Sequence, residues 1–239
     1  MKIRKKIIGI VYSYLREFVF LFFPKNCSAC GTGLNEQEEV LCTMCLYDLP
    51  RTNFHKEPEN AVEKLFWGLS EVKHATAYFN FSKGSKYREV IHKLKYNGRS
   101  DIGVELGKFF AAEISGSVFS NTDIIIPVPL HPSKLRKRGY NQSEVIGEGM
   151  SDIMEIPMET NVLVRTVNNE TQTKKSFAER RKNVESVFKI EKPELIKNKH
   201  VLLIDDVITT GSTLMACVDE LNKVEGVTVS IAALGFAAH

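Results

Sequence analysis

The run from Val201 to Thr213 constrains this chain more than any other stretch. Four apolar residues, Val201 to Ile204, are followed by the adjacent acids Asp205 and Asp206. Val207, Ile208, Thr209, Thr210, Gly211, Ser212 and Thr213 come next, and an apolar helical pattern follows them. An apolar run of this length reads as a buried strand over 201–204. The strand delivers two carboxylates to its carboxyl end, where open α/β sheets bind ligands. A helix starting after the glycine offers free N–H groups and a positive dipole end, which suit a phosphate. Thr209, Thr210, Ser212 and Thr213 add hydroxyl donors, and Gly211 lets the backbone approach the ligand. Asp205 and Asp206 repel a phosphate and suit sugar hydroxyls or a magnesium ion. Phosphate on one side and polyol on the other describes a ribose 5-phosphate. Simple helix capping needs one hydroxyl residue, not four around a glycine beside two acids.

The remainder alternates strand and helix. Strands are expected at Ala75 to Phe81, Asp123 to Val128, Val162 to Arg165 and Val227 to Leu234. Helices are expected at Tyr87 to Tyr96 and Ile102 to Ile114, split by Asn97 and Gly98, and at Ser143 to Met154 and Thr213 to Val224. This order predicts an α/β fold, a mostly parallel sheet with helices on both faces. Its expected extent is 76–239, preceded by a connector over 51–75. A formal net charge of +3 gives no ground for nucleic-acid binding by itself.

Cysteines mark a second module over 25–50. Cys27 and Cys30 are followed, after eleven intervening residues, by Cys42 and Cys45. Two such pairs complete a tetrahedral thiolate site for zinc. Four protein ligands leave no open position, so the zinc is expected to be structural. Pairs confined to one short stretch point to a reducing, cytoplasmic compartment rather than a secreted disulfide framework. Residues 34–50 carry Glu36, Glu38, Glu39 and Asp48 but no lysine or arginine, which argues against a zinc-finger DNA reader. Cys217, inside an apolar helical pattern, reads as a small buried residue.

Residues 1–24 read as an amphipathic basic helix. Ile3, Ile7, Val11, Tyr14, Phe18 and Leu21 share one face, and Pro24 ends it. Arg16 and Glu17 break the apolar run, so no membrane span is expected. Docking on the main domain and peripheral contact with a membrane or partner both remain open.

Positive charge gathers in two clusters. One runs from Lys134 through Arg136 and Lys137 to Arg138, and the other holds Lys174, Lys175, Arg180, Arg181 and Lys182. Most charge runs are solvated faces. A leaving diphosphate would also need cations, and arginine forks match its oxygens. His131, set between prolines, reads as a turn residue or a site-lining one, and the segment from Lys95 to Arg99 reads as a charged helix stop.

Residues 204–213 resemble the diphosphoribose-binding motif of type I phosphoribosyltransferases. Together with the four-cysteine head, the segment Pro127 to Pro132 and the segment Arg138 to Gln142, they resemble the ComF family over residues 20–239. The resemblance implies a zinc-bearing head on a phosphoribosyltransferase domain that binds phosphoribosyl diphosphate with magnesium. It implies catalytic roles for Asp205 and Asp206, which would hold the ribose 2- and 3-hydroxyls, and a 5-phosphate site at Thr209 to Thr213. The segment Pro129 to Lys134 would line the diphosphate. Lys134, Arg138, Arg180 and Arg181 would face it, the last two on a hood over Gln172 to Asn183. The family also implies a link with natural competence and DNA uptake. A non-catalytic alternative is a factor that binds single-stranded DNA or a helicase-type ATPase partner, and pairing of subunits is a further implication.

Overall fold

A computed structural model describes residues 25–166 and 187–237. The expected helix over 1–24 and the expected hood over Gln172 to Asn183, with Arg180 and Arg181, lie outside the described residues. The chain divides into two compact units, 1–49 and 50–239.

In the first unit, tight turns do most of the folding. Gly31 takes φ +78°, which closes a turn where the Gly31 amide donates to the Cys27 carbonyl at 2.9 Å. Helix α1, Thr43–Tyr47, begins at Cys42, and among the described residues of this unit Leu34, Val40, Leu41 and Leu49 are the buried apolar side chains besides Cys27 and Cys45.

The second unit is built on a parallel sheet. Its strands are β1 His74–Phe81, β2 Ile124–Pro127, β5 His200–Ile208 and β6 Thr228–Ala237, in the order β1-β6-β5-β2. Side chains alternate between two buried faces. Ala75, Ala77, Ile124, Ile126, Val201, Leu203, Val229 and Ile231 share one apolar core with helix α7, Ser212–Leu221, including Cys217. Fully buried strands of this kind explain why the sequence reads as apolar runs rather than as clean alternation.

Helices α3 Lys86–Tyr96, α4 Ser100–Ile114 and α6 Gln142–Met154 follow their expected ranges to within two residues. α4 and α6 pack at unusually close range. A Cβ on Gly107 would lie 2.3 Å from the Ile146 carbonyl oxygen, and one on Gly149 would lie 2.0 Å from that of Val104. Those glycines are therefore required by backbone contact between the helices. This packing fixes the start of α6 over the sheet end.

Two expectations change. The strand expected at Val162 to Arg165 does not join the parallel sheet. It forms β3, Leu163–Arg165, in a separate antiparallel ribbon with β4, Phe188–Ile190. Such a ribbon pairs directly across an insertion, whereas a parallel neighbour requires a crossover. β5 also runs past Ile204 to Ile208, so both acids lie within the strand. β6 continues beside them, pairing Asp205 with Ala233 and Val207 with Gly235.

The 51–75 stretch, expected as a connector, contributes to this unit. It carries helix α2, Ala61–Lys64, whose N-cap Asn60 accepts from the Val62 and Glu63 amides. The Asn60 side chain also donates to the Ala75 carbonyl at 2.9 Å, and Val62 and Phe66 are buried in the core.

Candidate functional site

Three segments converge at the carboxyl end of β5. The first is β5 itself. Asp205 is half-buried, and its Oδ1 accepts from the Asp206 amide at 2.8 Å and from Ser143 Oγ at 3.1 Å. Burial, then the charge of Asp206, pushes the Asp205 carboxyl up to about 7. The acids are thus unequal: Asp206 pairs with the Lys95 ammonium at 3.0 Å.

The loop after β5 is the second segment. Gly211 adopts φ +75° and stands as the N-cap of α7. A left-handed residue here turns the chain so that the first α7 amides face the strand end. Thr209, Thr210, Ser212 and Thr213 are exposed, and Thr210 Oγ1 lies 2.9 Å from Ser212 Oγ. Asp205, Val207 and Thr209 to Thr213 line one small cup. Anion-accepting donors and Asp205 therefore share a single depression.

The third segment is the corner before α6. After β2, the chain reaches helix α5, Pro132–Arg138, where a loop facing the diphosphate was expected through Lys134. His131 explains the helix: its Nδ1 accepts from the Ser133 amide at 3.1 Å, so this histidine is an N-cap. Gly139 ends α5 at φ +86°, and Asn141 Nδ2 donates to the Val128 carbonyl at 3.0 Å. That bond ties the β2 end to the start of α6 and places Ser143 on Asp205. Arg138 donates to Gln142 Oε1 at 2.6 Å and stacks over Tyr96 with its guanidinium 5.3 Å from the ring centroid. Tyr140 donates its hydroxyl to the Leu94 carbonyl, pinning the end of α3. Lys134 stands on α5, partly exposed.

The structure thus gathers Asp205, Val207 and Thr209 to Thr213 around one cup, with Asp206 beside it, while Arg138 is held on Gln142 and the Tyr96 ring. It adds Ser143 and Lys95, which sequence reasoning did not place there. Lys95 was visible only as part of a charged helix stop, and Ser143 only as an early helix residue. Arg165 is a further cation near Asp205, at the end of β3, with its guanidinium 5.3 Å from the Phe188 ring centroid; burial lowers its affinity for the proton.

In the cysteine unit, the Sγ atoms of Cys27, Cys30, Cys42 and Cys45 all lie within 4.8 Å of one another. Cys30 and Cys42 sulfurs are 3.7 Å apart. Tetrahedral zinc with Zn–S bonds of about 2.3 Å requires sulfurs about 3.8 Å apart. The Cys42 amide points at Cys27 Sγ from 3.3 Å, and the Cys45 amide at Cys42 Sγ from 3.5 Å. Donors aimed at sulfur favour thiolates. Thr32 pulls Cys30 down to about 6, while burial and then the surrounding sulfurs push Cys45 up to about 12. A divalent cation would let all four ionise together. The four cysteines fit a closed zinc site.

Residues 106–238 match the phosphoribosyl transferase domain family. The DNA utilization protein YhgH of Escherichia coli O157:H7 is 30% identical over 86% of this chain and 87% of its own length. The chain belongs to the ComF family of phosphoribosyl transferase domain proteins. Competence protein F of Haemophilus influenzae is 39% identical, covering 38% of this chain and 41% of its own. Competence protein ComFC of Bacillus subtilis is 29% identical, covering 53% and 50%. Among solved structures, the chain is similar to the allosteric regulatory enzyme of purine biosynthesis, with 22% identity and a TM-score of 0.42. That match covers 59% of this chain and 30% of the longer enzyme. No helix among the described residues is long and apolar enough to cross a membrane.

Proposed function

We propose that this ComF-family chain binds phosphoribosyl diphosphate together with magnesium at the carboxyl end of β5. The carrying observation is the shared cup: Asp205 and the hydroxyl loop Thr209 to Thr213 face one depression, with Asp206 beside it. Asp205 and Asp206 accept the ribose 2- and 3-hydroxyls. The α7 amides and the Thr209, Thr210, Ser212 and Thr213 hydroxyls hold the 5-phosphate, with Val207 and Gly211 shaping the floor. Arg138 and Lys134 meet the diphosphate from α5, and the same role is assigned to Arg180 and Arg181, which lie outside the described residues. Magnesium, when bound with the ligand, neutralises diphosphate charge and helps it leave.

Catalysis, on this reading, is transfer of the ribose phosphate from diphosphate to an acceptor. The chain's own part is to orient the sugar and to meet the charge that grows on the leaving group. Zinc in the cysteine unit is structural. The relatives' names, DNA utilization and competence, support a role linked to competence and DNA use, and on this reading the paired thiols suit a reducing, cytoplasmic compartment.

Calorimetric titration of phosphoribosyl diphosphate, with and without magnesium, tests the reading. Magnesium-dependent binding that disappears in Asp205→Asn/Asp206→Asn is expected. A folded, zinc-loaded wild type that binds nothing would overturn it. Salt-sensitive binding of single-stranded DNA that survives the double substitution would instead favour a non-catalytic DNA or ATPase-partner factor.

A further inference from the structure

Lys95 stands in the last turn of α3 and meets Asp206, with side chains only 24% and 13% exposed. Its backbone neighbourhood is held from two directions. The Tyr140 hydroxyl binds the Leu94 carbonyl, and Arg138 lies over the adjacent Tyr96 ring. The α5–α6 corner thus braces the end of α3, which sets Lys95 as a cationic wall against Asp206. Lys95 lines no part of the hydroxyl cup.

A ribose ring carries its 2,3-diol between the C5 and C1 substituents. With the 5-phosphate in the cup and the diol on the acids, the C1 diphosphate must lie across the acids, away from the cup. The lysine wall is the charged feature that meets Asp206 outside the cup. Lysine is a compact charge on a flexible stem with three donors, so its ammonium can change partner without moving the helix. Asp206, once it accepts the sugar hydroxyls, no longer needs Lys95. A diphosphate is a stronger anionic partner than a single carboxylate.

Resting on the phosphoribosyl diphosphate reading, we propose that Lys95 is a charge-exchange residue that occupies Asp206 in the free protein and transfers to the C1 diphosphate when the sugar binds. It would thereby keep the acid pair from repelling the incoming ligand and reward only ligands that carry the diphosphate.

Ribose 5-phosphate and phosphoribosyl diphosphate share the sugar and the 5-phosphate and differ only at C1. Both are titrated calorimetrically, with magnesium, into the full-length wild type, Lys95→Met, Lys95→Gln and Lys95→Arg, each checked for folding by thermal melting. Lys95→Met and Lys95→Gln should weaken phosphoribosyl diphosphate by about tenfold or more and change ribose 5-phosphate by less than about threefold, while Lys95→Arg retains most of the discrimination. Equal loss on both ligands would overturn the exchange, because Lys95 would then only hold Asp206. Unchanged affinity for both would also overturn it. A wild type that binds phosphoribosyl diphosphate no more tightly than ribose 5-phosphate would sink this proposal alone, whereas one that binds only ribose 5-phosphate would sink the site reading as well. A wild type that binds neither would sink the site reading and the proposal with it.

Discussion

The two ends of β5 carry polar groups of opposite purpose. At the amino end, His200 is buried and fully engaged. Its Nε2 lies 2.8 Å from Ser230 Oγ, its Nδ1 lies 3.1 Å from the Asn121 carbonyl, and its amide donates to Asp123 at 2.7 Å. At the carboxyl end, Asp205 and Asp206 repel each other, and Asp205 is held near neutrality by burial and its neighbour. One end is a closed structural network; at the other, two like charges are held side by side by Ser143 and Lys95. Carboxylates perturbed in this way beside an open depression mark a candidate ligand site.

The sharpest way to break the comparison is at the acids. Asp205→Asn/Asp206→Asn should weaken phosphoribosyl diphosphate by about a hundredfold or more, read by calorimetry, since each charged acceptor of a hydroxyl contributes roughly 1.5–3 kcal/mol. The same titration on His200→Ala should give wild-type affinity. That substitution should instead destabilise the fold by about 2–3 kcal/mol in denaturant melts, through lost hydrogen bonds and a cavity. A variant pair that behaves the other way round would dissolve the distinction.

Stability against pH sharpens it further, because the two ends carry opposite signs. Asp205 has a folded pKa of about 7, above the 3.8 of a free aspartate. The folded state therefore holds more protons between those values, and its stability falls as pH rises from about 4 to 7. Asp205→Asn should be more stable than wild type at pH 8, on the order of 1–3 kcal/mol, with the advantage vanishing near pH 4. Burial, then the Lys73 charge, lowers the His200 pKa below its usual 6.5. Its contribution is present above that value and is lost as pH falls through the lowered one. Thermal melts across pH on the two single variants would reveal both slopes, and slopes of the same sign would contradict the contrast.

Smaller effects belong to the hydroxyl loop. Thr210→Ala should cost about 1 kcal/mol of ligand affinity, roughly fivefold, with stability nearly unchanged, because the group is exposed and bonds Ser212 alone in the free protein. A large loss of stability there would mean the loop is a capping device rather than a ligand cradle.

Residues 201–213 made the candidate site legible because chemistry and spacing are local. A strand, two acids, a hydroxyl loop and a helix start follow one another without interruption, and β5, Gly211 and α7 realise that order. The paired cysteines were legible for the same reason, since each pair closes around one turn. The strand boundary was less so. Nothing in the chain before Asp205 signals that β5 continues to Ile208; the pairing with Gly235 and Phe236 of β6 extends it.

Placement of distant residues was decided only by the tertiary structure. Lys95 and Ser143 lie 111 and 62 residues from the acids they touch. Periodicity shows which face of a helix is apolar but not which neighbour its end will meet. The backbone contact of α4 with α6, through Gly107 and Gly149, and the Asn141 bond to Val128 make those choices. Likewise, the apolar pattern at 163–165 fits a strand in any sheet, and only the pairing with Phe188–Ile190 assigns it to a separate ribbon. Local sequence determined the chemistry of the candidate site, because adjacent residues suffice to write it. The groups that tune that chemistry were decided by long-range packing, whose partners leave no mark on one another's neighbours in the chain.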